Sequence, residues 1–288
     1  MIIITGASGQ LGRLVVNQLL ERVPADQIGL SVRDTSKVND LRERGVRVRQ
    51  GNYNDAESLA HAFEVAAQVL IVSSNSLGDA ALKHHRTAIE AAKKAGVHRI
   101  HYTSQMGASP MSYFPPMVDH AATEDVLQAS GVAFTSLRNG FYAGSALMML
   151  GDALQSGILA APEDGPVAWT AHSDLAEAAA IAISEGGLEG ITPVLTASET
   201  FDLAGIAAMA SELTGRLIRR VVVPDDEYRA GLLAHGLPEE RADMFACLFK
   251  ASRNGEFART DGALARLLGR EPVQMREFLK ANLIGNIK

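Results

Sequence analysis

The sequence is almost without cysteine: Cys247 stands alone among 288 residues, so no disulfide can form within the chain. It lies in the apolar run "MFACLF", where a small buried hydrophobe is the expected role. Long hydrophobic runs are missing as well. No stretch reaches the roughly 18 apolar residues that a bilayer-spanning helix needs. No secretory leader precedes a strand that opens at Ile2, and a cytoplasmic protein is expected. Positive charge is not in excess either. The formal net charge is −6, whereas nucleic-acid binding calls for a basic stripe. The cluster Arg42, Arg44, Arg47 and Arg49 straddles a helix end and a strand and reads as a solvated edge. The histidines lack metal-ligand spacing, and the adjacent His84 and His85 point in different directions around a helix. No metal, no nucleic acid and no membrane are expected. The partner that remains is a small molecule, with the chain a monomer or a homodimer.

What is present is an alternation. Short β-branched runs at residues 2–5, 28–32, 46–50, 69–73, 99–103 and 133–137 are separated by amphipathic helical patterns at 11–22, 36–44, 56–66, 80–95 and 120–130. Strands and helices of this length, taken in turn, give a doubly wound parallel sheet of the Rossmann class. In "AGV" (95–97) and "SGV" (130–132) a glycine falls just past a helix and before a strand. After about Asn139 the rhythm changes. "WTAHSDLAEAAAIAIS" offers Ser173 as an N-cap for an alanine-rich helix, and mostly helix follows, with a short strand in "IRRVVV". The expected division is a dinucleotide-binding domain at 1–139 and a smaller, mostly helical, substrate-binding lobe at 140–288. The chain is expected to return to the first domain around 170–185.

"TGASGQLG", residues 5–12, joins the first strand to the first helix. In that context Gly6 allows the tight turn, Gly9 the close approach of a pyrophosphate, and Gly12 the packing of helix on strand. Ser8, Gln10 and Leu11 complete the loop, and phosphates would sit at the positive end of the helix that starts near Gln10. The second strand runs straight into Arg33, where an NAD site usually has a carboxylate. A guanidinium there matches a 2′-phosphate, and Lys37 lies one helical turn farther. NADPH is the expected cofactor. Asp34 can serve a ribose diol and so admit NADH too.

The spacing is Gly-x-x-Gly-x-x-Gly. With "SVRD", "VRQGNYNDAESL", "AAKKAGVHRIHYTS", "HAATEDVLQASGVAFTSLRNGFY" and "LARLLGREPVQMREFL", it resembles the extended and atypical short-chain dehydrogenase/reductase superfamily. Within it, the sequence resembles the NmrA-like branch with its bacterial NAD(P)H:quinone oxidoreductases and triphenylmethane-dye reductases. The resemblance runs over nearly the whole chain. It implies that Asn52 and Tyr53 lie near the adenine, that Ser73, Ser74 and Asn75 line the path to the nicotinamide ribose, and that Thr103 and Ser104 complete the cofactor set.

The superfamily's usual Tyr-x-x-x-Lys pair is absent. Aligned on "VDHAATEDVL", the lysine position holds His120 and the tyrosine position holds Pro116, which has no proton to give. Tyr113, three residues earlier, sits in "YFPPM", which reads as a proline-stiffened loop. The expected chemistry is therefore flavin-independent hydride delivery to a quinone or similar conjugated electrophile, with water or a weak donor such as His120 supplying the proton. "LRNGFY" places Asn139, Phe141 and Tyr142 at the sheet's carboxyl edge, for an aromatic stack on a planar acceptor and a bond to its carbonyl. Met106, Tyr113 and Met148 are expected as further pocket walls. Asp174 in "HSDLA" reads as a helix-end charge. The alternative function is a non-catalytic NAD(P)-binding redox sensor, which the missing tyrosine also permits.

Overall fold

Ile2, Ile3, Ile4 and Thr5 are all buried, and β-branched side chains on both faces suit a strand covered above and below. The computed structural model, which describes residues 1–284, places this strand, β1 (Ile2–Thr5), in the middle of a sheet. The others are β2 (Ile28–Val32), β3 (Arg47–Gln50), β4 (Gln68–Ile71), β5 (Arg99–Gln105), β6 (Ala133–Asn139), the two-residue β7 (Phe141–Tyr142), β8 (Ile158–Ala161), β9 (Trp169–Thr170), β10 (Gly190–Ile191) and β11 (Arg219–Val222). Seven of them form one sheet in the order β10-β6-β5-β4-β1-β2-β3, with every pairing parallel. The order reverses direction between β1 and β4, which opens a crevice at their carboxyl ends. The remaining strands pair as β8 with β11 and β7 with β9.

The helices are α1 (Gln10–Leu20), α2 (Asn39–Glu43), α3 (Ala56–Ala62), α4 (Gly78–Lys94), α5 (Pro115–Ser130), α6 (Ala143–Leu150), α7 (Ala153–Ser156), α8 (His172–Ser184), α9 (Leu203–Thr214), α10 (Asp225–Ala234), α11 (Glu239–Arg253), α12 (Ala263–Leu268) and α13 (Met275–Leu283). One face of the sheet packs on α1 and α8 through Val15, Leu19, Leu30, Leu175 and Ile183. The other packs on α3, α4 and α5 through Phe63, Ile89, Ile100, Tyr102 and Leu127. A third apolar cluster, with Phe114, Phe141, Trp169, Phe249 and Phe257, gathers α6, α9, α11 and α13.

Several local expectations change. Pro115 and Pro116 are not loop: they open α5, where a missing N–H costs nothing and the fixed φ suits the first turn. Ser173 lies inside α8, whose N-cap is Ala171, and no side chain caps that helix. The pattern at 36–44 breaks into a 3-10 turn over Thr35–Val38 and the short α2. Cys247 is half-buried, not fully enclosed. Asp174 is completely buried, and accepts from Arg270 Nη2 at 2.8 Å and from the Val273 N–H at 2.7 Å, tying the C-terminal segment to α8. The arginines at the solvated edge are engaged too: Arg49 bonds Glu64 at 2.6 Å, and Arg47 donates to the Ala62 carbonyl at 2.8 Å.

Candidate cofactor and acceptor site

A cleft of about 470 Å³ opens at the carboxyl ends of β1 to β4. Its walls include Gly6, Ser8, Gly9, Arg33, Lys37, Asn52, Tyr53, Ser73, Ser74, Asn75 and His84. The glycines shape it in three ways. Gly6 has φ +62°, and a Cβ there would stand 3.1 Å from Val72 Cβ. The Gly9 N–H donates to the Gly6 carbonyl at 2.9 Å and closes the turn. A Cβ on Gly12 would come within 2.5 Å of the Gly6 oxygen, so α1 could not lie this close to the loop. Gly12 therefore works from behind the cleft, and Leu11 likewise turns into the core. Gly9 caps α1 with no side-chain hydrogen bond, and the first turn holds no acidic residue. The helix start thus keeps its positive potential for an anion.

The floor is polar and fixed. Tyr53 donates from its hydroxyl to the Val72 carbonyl at 2.6 Å and lies 2.6 Å from Thr5 Oγ1. Burial drives its pKa upward, so it stays a neutral phenol. Thr103 Oγ1 accepts the Ser73 N–H at 2.8 Å, which makes it a support for the cleft loop and not part of its wall. Ser104 gives its hydroxyl proton to buried Glu124 Oε1 at 2.8 Å. The same carboxylate takes Ser136 Oγ at 2.9 Å and Arg138 Nη2 at 2.6 Å.

At the β2 end the charges sort themselves. Asp34 accepts from the Ser36 N–H at 3.0 Å and from Ser36 Oγ at 2.6 Å, bonds that hold its pKa down. It caps the 3-10 turn and does not line the cleft. The Arg33 guanidinium has no partner among the described residues, and Lys37 stands beside it in the wall. An unpaired guanidinium with a lysine in the same wall, at the mouth of a glycine cradle, fits the adenosine end of a phosphorylated dinucleotide.

Asn139, Tyr142, His120, Met106, Tyr113, Phe141 and Met148 do not line this cleft. Asn139 is the register partner of Gln105, and both side-chain oxygens are buried with no partner among the described residues. The two amides flank the Tyr142 hydroxyl, whose pKa burial raises. The Tyr142 ring stacks on His172 with centroids 4.2 Å apart. Gln105 and His172 were invisible as site residues, since strand register and the return of α8 bring them in. Phe141 packs against Phe257 at 4.8 Å, Trp169 at 5.6 Å and Phe114 at 6.2 Å, which makes it part of the third apolar cluster. Met106 is buried in the same cluster, and Met148 is 76% exposed. Tyr113 is half-exposed, its ring 4.2 Å from Lys250 Nζ. His120 Nδ1 lies 2.8 Å from the Tyr102 hydroxyl, and burial pushes its pKa down to about 4, so it is neutral at pH 7.

A family model described as NAD(P)H-binding matches residues 6–148. Quinone oxidoreductase 2 of Escherichia coli is 36% identical over 280 residues, covering 96% of each chain. The crystal structure of the NADPH-dependent quinone oxidoreductase from E. coli complexed with NADPH superposes with a TM-score of 0.92 at 34% identity, over 98% of this chain and 100% of that one. The Citrobacter triphenylmethane reductase complexed with NADP(H) gives a TM-score of 0.90 at 32% identity, over 97% and 99%. An NmrA-like family domain-containing oxidoreductase of Aspergillus flavus is 30% identical, over 99% and 95%.

Proposed function

The chain belongs to the NAD(P)H-binding family of NmrA-like reductases, and on that premise we propose that it is an NADPH-dependent oxidoreductase that passes hydride to a quinone or similar conjugated electrophile without a flavin. The observation that carries the cofactor assignment is the free Arg33 guanidinium at the end of β2, with the nearest carboxylate, Asp34, committed to Ser36. When bound, NADPH would supply the hydride, that is, two electrons with one proton.

The chain's own residues hold the two reactants. Gly6, Ser8, Gly9 and the start of α1 receive the pyrophosphate, with Gln10, Leu11 and Gly12 setting the helix that presents it. Arg33 and Lys37 take the 2′-phosphate, Asn52 and Tyr53 flank the adenine, and Ser73, Ser74 and Asn75 receive the nicotinamide ribose. Residues 1–139, with α8 laid against α1 and β10 at the sheet edge, form the cofactor domain, and the other described residues from 140 onward form the acceptor lobe. At their junction Asn139 and Tyr142 address the acceptor oxygen. Burial keeps the Tyr142 proton in place, so its hydroxyl donates a hydrogen bond to the charge that develops there and does not release a proton. The reduced acceptor takes its proton from water. A buried, neutral His120 already hydrogen-bonded to Tyr102 supplies none. Such a site suits acceptors that need little acid catalysis, and simple ketones should be inert.

The test is NADPH consumption, followed by its near-ultraviolet absorbance, with flavin-free protein and a panel of quinones, cationic dyes, enones and unactivated ketones. Turnover confined to the conjugated acceptors is expected. Tight NADPH binding without turnover of any acceptor would support a redox sensor instead.

A further inference from the structure

His84 and His85, consecutive on α4, converge on one residue of the cleft. The Ser74 N–H donates to His85 Nε2 at 2.9 Å. That nitrogen must be bare, so the ring proton sits on Nδ1, which donates to Thr123 Oγ1 at 2.9 Å. The Thr123 hydroxyl in turn donates to the Asp119 carbonyl at 2.8 Å. The tautomer is thus set by a chain that ends on the backbone of α5. His85 is 2% exposed and has Tyr102 edge-on at 5.3 Å. From the cleft side, His84 reaches the same residue: its Nδ1 lies 3.4 Å from Ser74 Oγ, and its Nε2 lies 2.9 Å from Asn54 Oδ1. The imidazole of His84 therefore spans from the loop after β4 to the loop after β3.

The neighbouring amide is treated alike, since Thr103 takes the Ser73 N–H. With the Val72 N–H donating to Thr5 Oγ1 at 2.9 Å, three successive backbone donors are consumed by side chains. That fixes the direction in which Ser73, Ser74 and Asn75 face the cleft. A leucine would fill the His85 space without the desolvation cost of a buried imidazole. What a leucine lacks is an acceptor at one fixed point. The loop stands on the β4 side of β1, opposite the Arg33 end, and so at the nicotinamide-ribose half of a dinucleotide laid across the switch point.

We propose that His85 is a positioning residue for the cofactor: through the Ser74 amide it sets residues 73–75 for the nicotinamide-ribose half of NADPH, and His84 steadies the same residue from the cleft side. This rests on the NADPH reading of the cleft.

The experiment compares affinity for NADPH and for 2′,5′-ADP, which carries the adenosine half alone, together with the melting temperature. The proteins are the unmutated chain, His85→Asn and His85→Gln. Glutamine places a carbonyl oxygen where Nε2 stood, and asparagine is too short. His85→Asn should weaken NADPH about tenfold, the effect of one buried hydrogen bond left unmade, while 2′,5′-ADP stays within about twofold. His85→Gln should regain most of the NADPH affinity. If His85→Asn does not fold, Thr123→Val, which removes the partner of Nδ1, should show the same selective loss to a smaller degree. Equal loss for both ligands, or unchanged NADPH affinity alongside a lowered melting temperature, would overturn the proposal. An unmutated chain that binds 2′,5′-ADP and NADPH equally well would also overturn it, because the loop would then contribute nothing. Binding of neither would contradict the NADPH reading itself.

Discussion

Arg33 is a single exposed side chain, and in the proposed function it selects the phosphorylated cofactor, because its guanidinium is unpaired among the described residues and Asp34 is held by Ser36. Arg33→Ala should weaken NADPH binding by roughly 1.5–3 kcal/mol, the worth of a charge-assisted hydrogen bond, and leave NADH nearly untouched. Calorimetric titration of both cofactors on both proteins checks this, and equal losses would remove Arg33 from the 2′-phosphate. Tyr113→Phe should leave quinone turnover within about twofold, far from the 10²–10⁴-fold loss of a general acid, since that ring lies against Lys250. Steady-state kinetics on one quinone decides it, and a collapse of turnover would restore a tyrosine acid. Arg33 and the glycines were legible in the sequence because each acts through its own position on one strand end. His85, Gln105 and His172 were not, because their partners Ser74, Asn139 and Tyr142 are set by helix packing, strand register and the return of α8.

The loop from β1 into α1 is the element assigned to the pyrophosphate in the proposed function. Gly9→Val places a branched side chain over an uncapped helix start, and its Cβ alone would stand 3.3 Å from the Gly6 oxygen. Dinucleotide binding should be lost while the fold persists, as circular dichroism and cofactor affinity on one sample would show. Retained affinity would reduce the loop to a structural turn. β7 behaves differently. Phe141 belongs to a ring cluster with Phe114, Trp169 and Phe257, so Phe141→Ala should cost about 3–5 kcal/mol of stability before it alters acceptor kinetics. Denaturant unfolding beside kcat/KM separates the two. The first six strands were read from sequence to within a few residues, since β-branched runs covered on both faces leave little choice, whereas β7, β8, β9 and β10 were missed because they are only two to four residues long. Helix starts were harder. Pro115 and Pro116 suit a first turn as well as a loop, and Ser173 suits a cap that the buried Asp174 clamp displaces into the helix.

At the scale of the whole molecule, the buried histidines couple stability to pH. Burial lowers His85 and His101 to about 3 and His120 to about 4. All three are neutral in the folded chain at pH 7, while the unfolded chain takes up protons below the ordinary value of about 6.5. Stability is therefore intact above about pH 6.5 and falls as pH drops toward 4, by up to about 1.4 kcal/mol per pH unit for each histidine. His101→Gln should reduce that slope by about one proton in urea unfolding across this range, and an unchanged slope would contradict the assignment of His101. The doubly wound class was legible from alternation alone, but the edge strand β10 was not. The meeting of Gln105, Asn139, Tyr142 and His172 was not, because it is made only when β6 leaves the sheet and α8 comes back to it. Direct, flavin-free transfer of hydride from NADPH to a conjugated acceptor is the proposed reaction. NADPH carrying deuterium at both nicotinamide C4 positions, supplied with a triphenylmethane dye cation in ordinary water, follows that hydrogen, and the colourless product is read by mass spectrometry. One deuterium on the central carbon of every product molecule is expected, whichever face of the nicotinamide delivers it. Product without deuterium, its hydrogen drawn from solvent, would rule direct transfer out.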